Sequence, residues 1–266
     1  MMTRKMHRLA GTLVCLAILA GLGVSNGAEP DLRTRLEKRV HQNEQGESLP
    51  YRLFVPRDYD AARQYPLILF LHGAGERGDD NEAQLVHAGV LRFTRDDVQA
   101  EHPAFLVAPQ CPKGRKWVEV AWDFSGPHQT PAEPSLPMKL TLEILAKLAK
   151  EYSIDRQRIY VTGLSMGGFG SFDLCARHPE MIAAAMPICG GADDSKAEAM
   201  KEIAFWVFHG SADTTVPPVR SRSAVEALRR AGAEVKYTEY EGVGHNSWSK
   251  AYDESELVDW LFSHHR

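Results

Sequence analysis

A regular alternation of short apolar runs with segments of helical spacing is the strongest constraint on this fold. Several runs are apolar throughout, which is typical of strands covered on both faces. The predicted strands are 51–55, 67–71, 105–108, 159–162, 184–188, 205–208 and 235–240, and the predicted helices are 138–152, 166–177, 219–231 and 255–262. Alternating strands and helices join through right-handed crossovers. The pattern predicts an α/β fold with a mostly parallel central sheet and helices on both faces.

The N-terminal segment has the order of a secretory signal. Basic residues at positions 4, 5 and 8 precede an uncharged apolar run over 9–24, and small residues follow. A membrane anchor is the alternative, but a spanning helix needs about 20 apolar residues and this run is shorter. We therefore expect residues 1–28 to be a cleaved signal peptide, 29–266 to form a single domain, and the protein to be secreted or periplasmic, without stable membrane insertion after cleavage.

The charge of the chain limits the kinds of partner that it is expected to bind. The chain carries 31 basic and 35 acidic residues, and the basic signal segment contains none of the acidic ones. Without a basic stripe to neutralise phosphates, a nucleic-acid partner is not expected.

After signal removal, Cys111, Cys175 and Cys189 remain, and no pair of them has metal-ligand spacing. We interpret each as a small buried side chain, although an odd number leaves at least one thiol free or paired with another chain.

The sequence Gly163–Gly167, Gly-Leu-Ser-Met-Gly, is the strongest indication of a catalytic residue in this chain. It lies between a predicted strand and a predicted helix, which is the context of a nucleophile elbow. In such a turn the serine has strained dihedrals, and the flanking glycines avoid collisions with neighbouring backbone. The helix N-terminus adds positive potential where negative charge develops. Ser165 is therefore the predicted nucleophile.

A serine nucleophile needs a base, and the base needs an orienting acid. The fold expects these partners in the order Ser, Asp or Glu, His. Asp213 follows the strand 205–208, and His245 lies in a glycine-rich loop after the strand 235–240. The rival acids Asp193 and Asp194 follow an earlier strand. We predict Asp213 and His245 as the partners of Ser165.

Two preorganised donors are expected to stabilise the developing oxyanion. One is the backbone N–H of Met166, directly after the nucleophile. The other is that of Ala74, in the turn 72–75 after the strand 67–71. The predicted acyl transfer requires no metal and no organic cofactor.

Residues 117–137 interrupt the alternation of strands and helices and show neither a strand nor a helix period. They are predicted to form a long surface loop. Loops of this length are usually functional or disordered. We predict that it forms one wall of the substrate cleft. Trp122 and Trp248 are candidate substrate-binding residues because flat amphipathic rings suit aromatic or sugar-bearing esters. Ordinary packing is the alternative for both.

Five motifs carry a family resemblance. They are His72–Gly78 (HGAGERG), Ala108–Pro112 (APQCP), Gly163–Gly168 (GLSMGG), Pro187–Gly191 (PICGG) and Gly244–Trp248 (GHNSW). Together they resemble the polyhydroxybutyrate depolymerase and feruloyl-esterase-like branch of the α/β-hydrolases, related to phospholipase/carboxylesterases and dienelactone hydrolases. The resemblance implies the three-layer α/β-hydrolase fold, the triad Ser165, Asp213 and His245, and carboxylic ester substrates. Dienelactone hydrolases proper use cysteine as nucleophile, so Ser165 argues against that activity.

These observations predict a secreted serine carboxylic ester hydrolase that works through an acyl-enzyme. Expected substrates are feruloyl, aryl or short-chain acyl esters, either small molecules or linked to polysaccharide. A secreted acyltransferase or a serine peptidase would use the same triad, so both activities remain as alternatives. A binding protein on this fold would normally have lost a triad member, and none is missing.

Overall fold

Eight strands form one sheet in the part of the chain that the computed structural model describes, residues 31–266, which make up one compact unit. The strands are β1 Glu37–Gln42, β2 Ser48–Phe54, β3 Tyr65–Leu71, β4 Phe105–Pro109, β5 Ile154–Leu164, β6 Ala184–Ile188, β7 Ala204–Gly210 and β8 Val235–Tyr240. The α-helices are α1 Asp96–Glu101, α2 Leu136–Glu151, α3 Met166–Arg177, α4 Val219–Arg230, α5 Trp248–Asp253 and α6 Leu257–Phe262. Short 3-10 helices cover Leu32–Arg35, Ala74–Glu76, Ala83–Leu85, Ala88–Thr94 and Asp194–Met200. The predicted signal segment 1–28 lies outside the described residues.

The strand order is β1-β2-β4-β3-β5-β6-β7-β8. The β1–β2 and β2–β4 pairs are antiparallel, and every later pair is parallel. The predicted mostly parallel sheet is confirmed. Since β5 to β8 lie side by side and run in one direction, the loops after their carboxyl ends gather at one edge of the sheet.

Alternate residues of the central strands pack into two separate layers. In β3, Leu67, Leu69 and Leu71 join the core layer that also holds buried side chains of α2, α3 and α4. Ile68 and Phe70 point the other way, into the layer that holds buried residues of α5 and α6. A strand that is apolar on both faces is therefore covered on both faces. This is the three-layer α/β-hydrolase architecture that the motifs imply.

All seven predicted strands and all four predicted helices are present, with ends shifted by a few residues. The structure adds β1, which the sequence analysis missed. This strand lies at the sheet edge and is mostly exposed, with only His41 buried, so its polar sequence carries no apolar signal. The short helices α1 and α5 were also missed, because six residues are too few to establish a helical period.

The described residues include no helix long and apolar enough to cross a membrane. The three cysteines beyond the predicted signal are buried and unpaired. Burial raises the pKa of the Cys111 thiol to about 12. All three therefore have the surroundings of small apolar core residues.

Candidate active site

Ser165 sits in the sharp turn between β5 and α3. Its backbone has φ 53° and ψ −117°, a conformation that a non-glycine residue rarely adopts. Its amide donates to the Ile188 carbonyl at 2.9 Å, and its own carbonyl accepts from Gly168 and Phe169 in the first turn of α3. These bonds hold the strained residue between two strand ends and a helix.

The glycines on either side of Ser165 are required by close backbone packing. A β-carbon on Gly163 would lie 2.3 Å from the Gly167 carbonyl oxygen, and one on Gly167 would lie 1.8 Å from the Leu71 carbonyl oxygen. Neither distance is possible for real atoms. The motif spacing therefore follows from how tightly β3, β5 and α3 meet.

His245 and Asp213 reach Ser165 from the loops after β8 and β7. His245 Nε2 lies 2.9 Å from Ser165 Oγ, and His245 Nδ1 lies 2.7 Å from Asp213 Oδ2. The structure thus brings the three predicted residues into one hydrogen-bonded chain. Because the carboxylate can only accept, Nδ1 carries the proton and Nε2 is free to accept the serine proton.

The carboxylate of Asp213 is fully buried and is surrounded by hydrogen-bond donors. Its Oδ1 accepts from the amides of Thr215 and Val216 at 2.8 and 3.0 Å, and His209 Nε2 lies 3.2 Å from Oδ2. Burial by itself raises the pKa of Asp213, but the hydrogen bonds from His209, His245 and the Val216 amide hold it well below its usual range. Asp213 is therefore ionised at neutral pH. The sequence analysis did not select His209 and missed this contact.

The rival acids have other partners. Asp193 caps the 3-10 helix Asp194–Met200 by accepting from the Ser195 amide, and it also accepts from the Thr130 amide at 2.7 Å. Asp194 contacts the Ser223 hydroxyl. Among the hydrogen bonds and ion pairs of residues 31–266, neither contacts His245.

The turn that carries Ala74 is fixed from behind by His72. His72 Nε2 accepts from the Cys111 amide at 2.8 Å and Nδ1 donates to the Gly73 carbonyl at 2.7 Å. Burial lowers the pKa of His72 to about 4, so the ring stays neutral in these roles. Ala74 and Met166 each begin a helix, where backbone N–H groups have no acceptor within the helix.

A cavity of about 240 Å³ opens over Ser165 and His245. Trp122, from the loop after β4, and Trp248, at the start of α5, both line it, together with Ala74. The Trp248 ring meets the His245 ring edge-on, with centroids 5.4 Å apart. Both predicted tryptophans therefore border the space next to the serine.

The same cavity is lined by two residues that the sequence analysis did not select, Glu76 and His87. His87 Nε2 lies 3.2 Å from Glu76 Oε1, and the His87 ring packs on Trp248 with centroids 4.9 Å apart. Glu76 belongs to the quoted motif HGAGERG, but nothing in the sequence links it to His87. Only the three-dimensional contact reveals the pair.

Comparison with known proteins agrees with the fold and the motifs. Residues 59–255, a range that contains Ser165, Asp213 and His245, match the model of the phospholipase/carboxylesterase family. A crystal structure of a thermostable esterase is 42% identical, with a TM-score of 0.83, covering 88% of this chain and 64% of that one.

Two further relatives share less sequence identity with this chain. The bifunctional acetylxylan esterase/xylanase of Neocallimastix patriciarum is 27% identical over 173 residues, which are 65% of this chain but 22% of that protein. The probable feruloyl esterase C of Aspergillus terreus is 26% identical over 207 residues, 78% of this chain and 67% of that protein. The fold, the matched range and these relatives together show that the chain belongs to the phospholipase/carboxylesterase family of α/β-hydrolases.

Proposed function

We propose that this protein is an exported serine hydrolase that cleaves carboxylic esters through an acyl-enzyme. The observation that carries the proposal is the continuous hydrogen-bonded chain from Ser165 Oγ through His245 to Asp213. Both distances fall within the range of about 2.6–3.2 Å expected for an activated nucleophile. Membership of a carboxylesterase family supports the choice of ester substrates.

In the first half-reaction Ser165 Oγ attacks the ester carbonyl carbon while His245 Nε2 takes its proton. Asp213 keeps Nδ1 protonated and stabilises the imidazolium that forms. The carbonyl oxygen becomes an oxyanion, which accepts hydrogen bonds from the N–H groups of Ala74 and Met166. When the intermediate collapses, His245 returns the proton to the departing alcohol and the acyl group stays on Ser165.

In the second half-reaction a water molecule attacks the acyl-enzyme. His245 Nε2 takes a proton from the water, and when the second intermediate collapses it gives that proton to Ser165 Oγ as the carboxylic acid leaves. Every proton moves between the substrate, water and protein side chains, so the cycle requires no metal or organic cofactor. An acyltransferase would differ only by admitting an alcohol in place of water.

The substrates we propose are feruloyl, aryl or short-chain acyl esters, free or attached to polysaccharide. A cavity of about 240 Å³ between two tryptophans suits a small acyl or aryl group. It is below the range of about 300–1,000 Å³ typical of sites that enclose a whole drug-sized ligand. The names of the acetylxylan and feruloyl esterase relatives point to the same substrate class.

The test combines export, labelling and kinetics. The full chain is expressed with its N-terminal segment, and the exported protein is treated with a fluorophosphonate and analysed by intact mass and peptide mapping. We expect loss of about residues 1–28, since the basic and apolar residues there form a signal, and a single label on Ser165. The ester panel comprises p-nitrophenyl acetate, methyl ferulate and an acetylated xylo-oligosaccharide, with a peptide amide and an alcohol acceptor to reveal peptidase or transferase activity.

Ser165→Ala should lower ester turnover by roughly 10⁶-fold, as removal of the nucleophile does in other triads, with the melting temperature little changed. Ser249→Ala, which removes an exposed hydroxyl near His245, is the matched control and should keep both turnover and labelling. A label on any residue other than Ser165 would overturn the assignment. Retention of Met1 in the exported protein would contradict the signal peptide.

A further inference from the structure

Glu76 is an acidic side chain buried beside the proposed reaction centre. Only 8% of the residue is exposed, and it borders the same cavity as Ser165. One carboxylate oxygen faces His87, and the other lies where a β-carbon on residue 73 would collide with it, 2.8 Å from that position. A glycine at 73 therefore makes room for the carboxylate. Burial of a carboxylate costs free energy unless hydrogen bonds or opposite charges offset it.

The carboxylate fixes the tautomer of His87. Burial works to raise the pKa of Glu76, but the hydrogen bond with His87 holds it below its ordinary value, so the group is ionised. An ionised carboxylate only accepts, so His87 Nε2 must donate to it. In the neutral ring the proton is then on Nε2, and Nδ1 is a hydrogen-bond acceptor.

Nδ1 of His87 is left available. Within residues 31–266 the only hydrogen bond of the His87 ring is the one from Nε2 to Glu76. About a third of the side chain is exposed, and the ring is held by packing against Trp248. His87 therefore lines the cavity that contains Ser165 with one ring nitrogen that has no hydrogen-bond partner among residues 31–266.

Glu76 and His87 do not form a second general base for the proposed reaction. His87 contacts no serine hydroxyl, whereas His245 is bonded to Ser165. What remains for a hydrogen-bond acceptor at Nδ1 is recognition of a donor on the substrate. The donor that fits the proposed ester substrates is a hydroxyl group.

We propose that His87, oriented by Glu76, is a specificity-determining residue that accepts a hydrogen bond from a free hydroxyl of the ester substrate. This inference rests on the proposed esterase function. The hydroxyl belongs either to the acyl part, as in a hydroxycinnamate, or to the alcohol part, as in a sugar. The two sources share the same chemistry at Nδ1, and substrate pairs can separate them.

The experiment uses matched esters that differ only by capping the hydroxyl with a methyl group. For the acyl side the pair is methyl 4-hydroxycinnamate and methyl 4-methoxycinnamate. For the alcohol side the pair is 2-hydroxyethyl acetate and 2-methoxyethyl acetate. The measured quantity is the ratio of kcat/KM within each pair, at about pH 8, where imidazoles are largely neutral. Differences in intrinsic reactivity cancel when this ratio is compared between variants.

Two variants test the pair in different ways. His87→Gln can still donate to Glu76 through its amide but has no acceptor at the Nδ1 position. Glu76→Gln can donate to Nε2 as well as accept from it, so the tautomer of His87 is no longer fixed. The matched control is His102→Gln, because His102 also pairs with an acid, Asp259, and stacks on an aromatic ring, but lies outside the cavity.

We expect the wild-type ratio to favour the free hydroxyl in at least one pair, and His87→Gln to lower that ratio by about three- to tenfold, the size of one neutral hydrogen bond. Glu76→Gln should lower it less, and His102→Gln should leave it unchanged. An unchanged ratio in both cavity variants, for both pairs, overturns the inference while leaving the esterase intact. If the wild type hydrolyses no member of either pair, the esterase proposal fails first and this inference with it.

Discussion

The nucleophile turn and the cleft loop lie on the same cavity but are held in opposite ways. The nucleophile turn, Gly163–Gly167, is fixed by backbone atoms, since any β-carbon at either glycine would overlap a carbonyl group. The cleft loop, 117–137, contains no strand or helix up to Ser135 and contributes Trp122 to the cavity. Its first residues are anchored by the buried side chains of Trp117, Val118 and Val120, whereas residues 126–131 are held by polar side chains from other elements.

Three side chains attach the cleft loop to the body of the protein. Arg220 of α4 donates to the Gly126 carbonyl and to His128, Arg177 of α3 donates to the Pro131 carbonyl at 2.6 Å, and Asp193 accepts from the Thr130 amide. The difference teaches that the reacting atoms are placed by packing that tolerates no change. Residues 126–131 of the cleft loop instead depend on individual polar contacts, each of modest strength.

The largest expected effect is on the nucleophile turn. Gly167→Ala places a methyl group 1.8 Å from the Leu71 carbonyl oxygen, so β3 and α3 must separate. We expect a loss of about 3 kcal/mol or more in the free energy of unfolding, at the upper end of overpacking effects, together with loss of turnover. Chemical denaturation and ester kinetics measure both. At Gly75 a β-carbon meets nothing within 4 Å, so Gly75→Ala should keep its stability; equal destabilisation by the two changes would refute the backbone argument.

The next effect separates two aspartates, one that contacts the proposed catalytic histidine and one that holds the cleft loop. Asp213→Asn preserves shape but presents the wrong partner to His245, a change that costs about 10⁴-fold in kcat in a serine protease. We expect a loss of that order with little change in melting temperature. Asp193→Asn keeps one acceptor oxygen and loses a contact of the cleft loop, so it should cost about 1 kcal/mol of stability and leave kcat largely intact. An active Asp213→Asn beside an inactive Asp193→Asn would reverse the assignment.

The fold and the proposed reaction centre could be predicted from the sequence because their signals are local. The apolar runs of β3, β4, β6 and β7 are short and continuous, since each strand is buried on both faces. Ser165 is recognisable because its strained turn needs glycines two residues away on each side. Asp213 and His245 could be proposed from their positions after strand ends, without any knowledge of distances.

The remaining features could not be predicted because they depend on contacts between distant residues of ordinary type. Glu76 and His87 are eleven residues apart in a segment of 3-10 turns without a period. Arg220 lies in a regular helix, and nothing in the sequence indicates its contact with His128, 92 residues earlier. The edge strand β1 is polar because water covers most of it. In each case the sequence gives the chemistry of the side chain but not its partner.

The third expected effect is a pH dependence of stability that arises in the cleft loop. His128 Nδ1 lies 2.6 Å from a guanidinium nitrogen of Arg220, and only a neutral ring can accept that bond. Burial, followed by the positive charge of Arg220, lowers the pKa of His128 to about 4. The unfolded chain has the ordinary value of about 6.5 and so binds a proton first as the pH falls.

The stabilising contribution of His128 is therefore complete above about pH 6.5 and declines as the pH falls towards 4, where both states are protonated. The total loss is at most about 3 kcal/mol. His128→Asn keeps an acceptor for Arg220 but does not titrate, so its melting temperature should fall less between pH 7 and pH 4 than that of the wild type. Every other titrating group is common to both proteins, so the difference between the two curves isolates this contact. Parallel curves would mean that the neutral imidazole does not hold the loop, and that Arg177 and Asp193 suffice to keep the wall in place.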